Sequence, residues 1–244
     1  MQKLLVITVM LAFATPGCLD GFKESFVSCD NITGECKYEI LRGNEYSRLH
    51  IEVNYVTGNA PDSDALNLLK QRIKEVTDKS TVTVSQSSFG STDNSYTLEE
   101  IVDLEASERT EFKGGNTFVV HVLYLNGEFS DNSQALGIAY SGTSFVMFKE
   151  KIEDASFLLI SSKDIEKAVI VHEFGHLLGL VNKGYQSPHD HEDPDHPHHS
   201  NNEESVMYWA IESQDIGNQL DGQPPNNFDE YDLDDLSLLK QGKL

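Results

Sequence analysis

Basic residues are scarce in this sequence. Lysine and arginine number 18 against 40 aspartates and glutamates, which gives a formal net charge of −22 at pH 7. A surface of that sign repels the phosphate backbone, so we expect no nucleic-acid partner. The excess of acidic groups first of all favours solubility.

Cysteine is also rare, with only three in the chain. Cys29 and Cys36 lie close together in "CDNITGEC" and predict a small-loop disulfide in an oxidising compartment. Two free thiols are the alternative, but exported proteins seldom keep them. Cys18 stands apart from this pair, at the end of the first apolar segment.

That first segment is too short to span a bilayer comfortably. Lys3 supplies a basic start, and Leu4 to Ala14 has the length of a signal-peptide core. The following "TPGC" resembles the lipobox of prokaryotic lipoproteins, in which the cysteine carries the lipid, so Cys18 is the expected anchor. An ordinary secretory signal is the alternative. Both predict an exported chain, either secreted or held at the extracellular face of the cell membrane.

The rest of the chain shows no internal repeat and no second domain. Hydrophobic periodicity predicts strands and helices in alternation, followed by an irregular stretch from 183 to 227. The predicted strands cover 48–56, 80–88, 117–125 and a pair within 135–152, and the predicted helices cover 62–78, 96–109, 161–181 and 227–243. This order predicts an α/β (α+β) fold with a twisted, mostly parallel sheet and supporting helices. We divide the chain into a lipoprotein-type signal peptide (1–17), an irregular tether (18–45) and one main domain (46–244), which holds the motifs below.

The chemistry is concentrated in "HEFGHLLG", residues 172–179. His172 and His176 are four apart on the predicted helix 161–181, so both rings leave the same helix face and can bind one Zn²⁺. Glu173 projects about 100° around the helix and is placed to reach a water on the metal, as in H-E-x-x-H metalloproteases. A buried helix that carries these three residues by accident is the alternative, but burying them without a role is costly.

The same stretch resembles the metzincins, whose signature H-E-x-x-H-x-x-G-x-x-H is followed by a methionine turn. Gly179 matches the signature glycine, where the chain leaves the helix in a left-handed turn. The third histidine of the signature would fall on residue 182, which is Asn182, a poor zinc ligand. Either the site is defective, or the chain brings its third ligand from further along the sequence.

"HSNNEESVM", residues 199–207, supplies a candidate. It resembles the archaemetzincin pattern of a third histidine, two cysteines and a Val-Met turn, with serine in place of both cysteines. On this resemblance His199 is the third zinc ligand, Met207 is the turn methionine, and the residues between Gly179 and His199 contain an insertion. Asn182, His191, His196 and His198 remain alternative ligands.

The resemblance implies a zinc-dependent endopeptidase that hydrolyses peptide bonds through a zinc-activated water, with Glu173 as general base and acid. It also implies that an extended peptide pairs with a strand within "GIAYSGTSFVMF". Tyr208 and Trp209 are candidates to line the substrate cleft. The expected partners are protein or peptide substrates, with membrane contact through the lipid anchor only, and the sequence predicts no oligomeric state.

The insertion is rich in histidine and aspartate and suggests further roles. Asp190, Glu192, Asp193 and Asp195 offer the oxygen ligands of an additional Ca²⁺ site. The loop 189–199 also resembles those of exported zinc-uptake lipoproteins, so a zinc-scavenging lipoprotein is a rival function. A non-catalytic metzincin fold is a third hypothesis.

Overall fold

The computed structural model describes residues 28–156, 160–220 and 222–244. The predicted signal peptide 1–17 and the predicted lipid anchor Cys18 lie outside these residues. The strands and helices, in chain order, are α1 (Lys37–Leu41), β1 (Arg48–Val56), α2 (Ser63–Val76), β2 (Thr81–Phe89), β3 (Ser95–Tyr96), α3 (Leu98–Glu108), β4 (Thr117–Leu125), β5 (Glu128–Phe129), β6 (Gly137–Ala139), β7 (Ser144–Phe148), α4 (Lys149–Asp154), α5 (Ser162–Leu177), α6 (Ile216–Gln219) and α7 (Glu230–Gln241). No helix among them is both long and apolar enough to cross a membrane.

The main sheet has the strand order β2-β1-β4-β7-β6. The first four strands run parallel, and β6 alone is antiparallel, paired with β7 at the edge. The nearly continuous apolar run of β4 is buried along its length because this strand lies at the centre, with helices over both faces. The predicted α/β fold with a mostly parallel sheet is confirmed.

Two apolar clusters fill the space on the two faces of the sheet. The larger cluster joins α2 and α5 to alternate residues of the central strands, such as Val120 and Val122 of β4. The smaller cluster joins α3, through Ile101, to the opposite face, which includes Leu123 and Leu125. Neighbouring side chains of a strand point to opposite faces, so each central strand contributes to both clusters. Helix α5 belongs to the larger cluster and contacts β6 from that face of the sheet.

The described part of the predicted tether, residues 28–45, is packed into the domain and is not an irregular arm. Ile40 and Leu41 of α1 are fully buried in the larger cluster, and α1 contacts α7. The Lys79 ammonium donates hydrogen bonds to three carbonyl oxygens of this region, those of Glu39, Arg42 and Tyr46. Apolar burial and these bonds together hold the segment against the sheet.

The C-terminal region is mostly irregular, as predicted, and ends in α7. A 3-10 turn (Trp209–Glu212) and the short α6 interrupt the loops. Asp229 and Asp232 form a reciprocal capping box at the start of α7, which satisfies free amide groups of its first turn. Gly242 ends the helix in the left-handed conformation.

Candidate metal centre

Helix α5 carries His172, Glu173 and His176 in its last two turns. Ser161 caps its N-terminus by accepting a hydrogen bond from the Asp164 amide. The helix ends at Leu177, and Gly179 follows with φ +82°, the left-handed turn that the sequence predicts there. Both histidines are buried, and their Nε2 atoms lie 3.1 Å apart.

The hydrogen bonds of this pair define the state of each ring. His172 Nδ1 lies 2.7 Å from the Val206 carbonyl oxygen, and His176 Nδ1 lies 3.3 Å from that of Leu180. A carbonyl oxygen only accepts, so each Nδ1 donates and each neutral ring keeps its lone pair on Nε2. Two lone pairs therefore face each other at 3.1 Å, which is unfavourable unless a cation lies between them.

A proton is a poor choice for that cation. Burial, together with the neighbouring His172 and His199, holds the pKa of His176 well below its usual value. Neutral imidazoles with inward Nε2 lone pairs are the form in which histidine binds metals. The residues present therefore fit a metal ion.

His199 is the loop histidine that reaches this pair. Its ring centroid lies 5.2 Å from that of His172 and 5.0 Å from that of His176. Its Nδ1 lies 3.1 Å from the Pro197 carbonyl oxygen. Within the described chain, its buried Nε2 has no hydrogen-bond partner.

The alternative ligands are all held elsewhere by protein groups. Asn182 uses its amide to bind the Glu192 carboxylate and its carbonyl oxygen to accept from the Ser187 amide, at 2.8 and 2.7 Å. The other loop histidines each contact another partner: His189 binds Asp234, His191 binds Asp235, His196 contacts Asp193 and stacks on Trp209, and His198 contacts the Val181 carbonyl. Of the loop histidines and Asn182, only His199 joins the His172–His176 pair.

Glu173 is fully buried beside the histidines. Neither of its carboxylate oxygens has a hydrogen-bond partner with good geometry in the described residues. Burial, followed by the charge of Glu212, raises the pKa of Glu173 well above its usual value, and the Ala139 amide opposes this rise. A Cβ atom at Gly137 would lie 2.7 Å from Glu173 Oε1, so the β6 backbone passes directly over this carboxylate.

Glu212 also joins the cluster, although no motif or spacing in the sequence predicts it. Its carboxylate oxygens lie 3.6 Å from His172 Nε2 and 3.5 Å from His199 Nε2. Burial alone would raise its pKa, but contacts with these two histidines hold that pKa well below its usual value. The ligating atoms of His172, His176, His199 and Glu212 all lie within 4.8 Å of one another.

The turn at Met207 lies under the histidine pair. Met207 is fully buried, and a Cβ atom at Gly175 would collide with its sulfur, so the glycine permits the close approach. The Ser200 amide donates to the Met207 carbonyl, which fixes the chain beside His199. The Ser205 hydroxyl donates to Asp232 at 2.6 Å and accepts from the Met207 amide at 2.9 Å.

Asp232 also belongs to a second convergent group, with His191 and Asp229. Asp229 is engaged in capping α7, Asp232 accepts from Ser205, and the other ring nitrogen of His191 lies 3.1 Å from Asp235. We interpret this group as structural: its hydrogen bonds hold the histidine-rich loop and the methionine turn against α7.

The other predicted residues have mixed outcomes. Cys29 and Cys36 form a disulfide bond, as expected. Among the described residues, the four carboxylates considered for Ca²⁺ form no convergent group of ligand atoms. Two of them have other partners: Glu192 binds Asn182 and the His198 amide, and Asp193 binds His196. Trp209 lies flat against His196, and a cleft role for Tyr208 and Trp209 stays a prediction.

No protein-family model and no curated protein sequence matches the chain. Among solved structures, it is similar to archaemetzincin from Methanopyrus kandleri, with a TM-score of 0.53, 14% identity, and coverage of 78% of this chain and 94% of that one. It is also similar to metalloproteinase-II from Bacteroides fragilis, with a TM-score of 0.44, 16% identity, and coverage of 82% of this chain and 56% of that one. The chain has an archaemetzincin-like fold, as the sequence predicts.

Proposed function

We propose that the chain is a zinc-dependent endopeptidase, a hydrolase that cleaves peptide bonds in proteins or peptides. The observation that carries this proposal is the pair of facing lone pairs on His172 and His176, next to the buried, unpartnered carboxylate of Glu173. Three imidazoles and a nearby carboxylate that does not share their face are the ligand set and the base of a hydrolytic zinc site. The archaemetzincin-like fold supports the same assignment.

His172, His176 and His199 would hold the zinc. Each ring has its Nδ1 on a backbone carbonyl oxygen, which orients the ring and leaves Nε2 for the metal. When bound, zinc supplies Lewis acidity, which lowers the pKa of a water molecule and polarises the peptide carbonyl group. Met207 packs against α5 at Gly175, between His172 and His176 in the sequence.

Glu173 would move the proton. Its carboxylate oxygens have no hydrogen-bond partner of good geometry among the described residues, so it would accept a proton from the attacking water and then deliver it to the leaving amine.

The edge strand β6 would hold the substrate. It pairs with β7 on one side only within the sheet. On the other side the Ala139 carbonyl accepts from the Thr33 hydroxyl, and the remaining main-chain groups would pair with an extended peptide. The close approach of Gly137 to Glu173 brings such a peptide next to the proton-transfer group.

We also propose that the chain is exported and anchored by lipid at Cys18, or else secreted. The disulfide between Cys29 and Cys36 supports an oxidising compartment. Proteins or peptides remain the proposed partners, and the charge of −22 argues against nucleic acid.

Zinc scavenging by the loop 189–199 has less support. Its histidines other than His199 contact carboxylates, carbonyl groups or aromatic rings of the protein, so they are not arranged as free ligands. A scavenger also has no use for a buried Glu173.

The test is Glu173→Gln, with Glu204→Gln as a control because Glu204 is exposed in the same C-terminal region. Zinc content and the cleavage of a mixed peptide library are measured for both variants and for the parent. We expect Glu173→Gln to keep its zinc and lose hydrolysis, and Glu204→Gln to match the parent. Zinc binding with hydrolysis that survives Glu173→Gln contradicts the mechanism, and zinc binding without hydrolysis in any form favours the non-catalytic alternatives.

A further inference from the structure

The position of Glu212 has a geometric meaning for the metal centre. In a tetrahedral zinc site with bonds of about 2.0–2.1 Å, neighbouring ligand atoms are about 3.3 Å apart. The His172 and His176 Nε2 atoms are 3.1 Å apart. Glu212 Oε1 lies 3.5 Å from His199 Nε2, and Glu212 Oε2 lies 3.6 Å from His172 Nε2. The carboxylate therefore stands where a fourth ligand belongs.

The backbone around Glu212 is paired with the chain that leads into β6. The Leu136 amide donates to the Glu212 carbonyl oxygen, and the Gln214 amide donates to that of Gln134, both at 2.8 Å. Between them, Ala135 and Ser213 form an antiparallel bridge. Residues 212–214 thus cover the approach to the edge strand with the kind of main-chain pairing that an extended peptide would use.

We propose that Glu212 is a fourth metal ligand and that residues 212–214 close the site in this conformation. This inference rests on the proposed function, since a catalytic zinc site keeps one position open and a site with four protein ligands is closed. Hydrolysis then requires the turn Trp209–Glu212 to move away, and the closed form is a latent state built from the chain itself.

Glu212→Gln is the first test, because glutamine keeps the size of the side chain but is a weaker ligand. The probe is acetohydroxamate, a small bidentate metal ligand, added to the full chain loaded with Co²⁺ and followed by visible absorption. Zinc affinity is measured separately by competition with a chelator. Glu204→Gln serves again as the matched control.

We expect acetohydroxamate to bind the Glu212→Gln protein at least about tenfold more tightly than the parent, because closure reduces the fraction of competent molecules. We expect zinc to bind this variant at least about tenfold more weakly, because a direct contact to the metal is lost. The control should match the parent in both measurements.

A second test fixes the closed form covalently. Ala135 and Ser213 face each other in an antiparallel bridge, where the distance between Cα atoms suits a disulfide. When oxidised, the double variant Ala135→Cys/Ser213→Cys should keep its metal, exclude acetohydroxamate and cleave no peptide. On reduction it should again bind acetohydroxamate and cleave peptides. The parent is treated with the same reductant, because its own disulfide opens as well.

Four results overturn the inference. If the metal-loaded parent and Glu212→Gln bind acetohydroxamate equally, or if zinc affinity is unchanged by Glu212→Gln, then Glu212 is not a closing ligand while the peptidase proposal stands. If the oxidised double variant binds the probe as the parent does, the pairing of residues 212–214 does not close the site. A chain that binds no metal at all overturns this inference together with the proposed function.

Discussion

His172 Nδ1 lies 2.7 Å from the carbonyl oxygen of Val206, which is 34 residues further along the chain. This one bond joins the helix that carries two of the histidines to the turn that precedes Met207. It also fixes which nitrogen of His172 faces the centre. The geometry of the site thus depends on the docking of the C-terminal loops onto α5.

Replacing His199 should weaken metal binding sharply. Its Nε2 is the only loop imidazole nitrogen, within the described ranges, that converges with the helix pair. We expect His199→Ala to lower zinc affinity by at least about tenfold, measured by competition with a chromogenic chelator. His189→Ala is the control, because His189 binds Asp234 and should leave affinity unchanged. Equal affinities for the two variants would contradict the assignment of the third ligand.

Alanine at Gly175 should destabilise the protein, although alanine is the better helix former. The added Cβ would meet the Met207 sulfur and the ring of Phe228. We expect a loss of about 1–3 kcal/mol in the free energy of unfolding, measured by urea denaturation. Gly90→Ala is the matched control, since a Cβ there meets open space. A Gly175→Ala protein as stable as the control would show that the methionine turn is not packed tightly under the helix.

Asp232 should make stability depend on pH. Burial, with the nearby Asp229 charge, raises the pKa of Asp232 from 3.8 to about 7 in the folded state. The folded chain then holds a proton that the unfolded chain releases between about pH 4 and pH 7, so this group stabilises the fold in acid and loses that contribution as pH rises.

The measurement is the free energy of unfolding across that pH range for the parent and for Asp232→Asn. The difference between the two proteins should change steadily between pH 4 and pH 7 and then level off. A difference that does not vary with pH would show that Asp232 titrates normally. Asp234→Asn, at a half-exposed position of the same helix, is the control.

Removing the Cys29–Cys36 disulfide should lower the free energy of unfolding and leave zinc affinity unchanged. The bond joins Cys29 to Cys36 across a short loop, and Cys36 is fully buried in the larger apolar cluster. Loop-closure entropy predicts a loss of about 2.5 kcal/mol for the double change to serine, measured by thermal or urea denaturation. Zinc affinity should be unchanged, and a large drop in it would mean that the N-terminal segment shapes the metal site.

The sequence was a good guide wherever periodicity or a fixed spacing carried the signal. The boundaries of β1 and β4 follow from alternation and from a continuous apolar run. The convergence of His172 and His176 follows from helical geometry, and that of His199 was expected from its distance to Met207 in the family pattern.

Glu212 and α1 were not predicted, for different reasons. Glu212 reaches the histidines through a 3-10 turn and a backbone pairing with residues 134–136, and neither has a sequence period. In α1, the apolar pair Ile40 and Leu41 was a usable signal, but a helix of five residues is too short to show periodicity. Long-range docking decided both positions.

Asn182 has a consequence for how this protein can vary. Its side chain bonds to Glu192 and to the Ser187 amide, and Glu192 in turn accepts from the His198 amide. These bonds hold the two ends of the histidine-rich loop, near Asn182 and near His198, close to each other. Residues 193–196 are tied to His199 as well, because the Asp193 amide donates to the His199 carbonyl oxygen and the His199 amide donates to that of His196. An insertion among them would displace the third imidazole, so variation in this loop is limited by two sets of bonds.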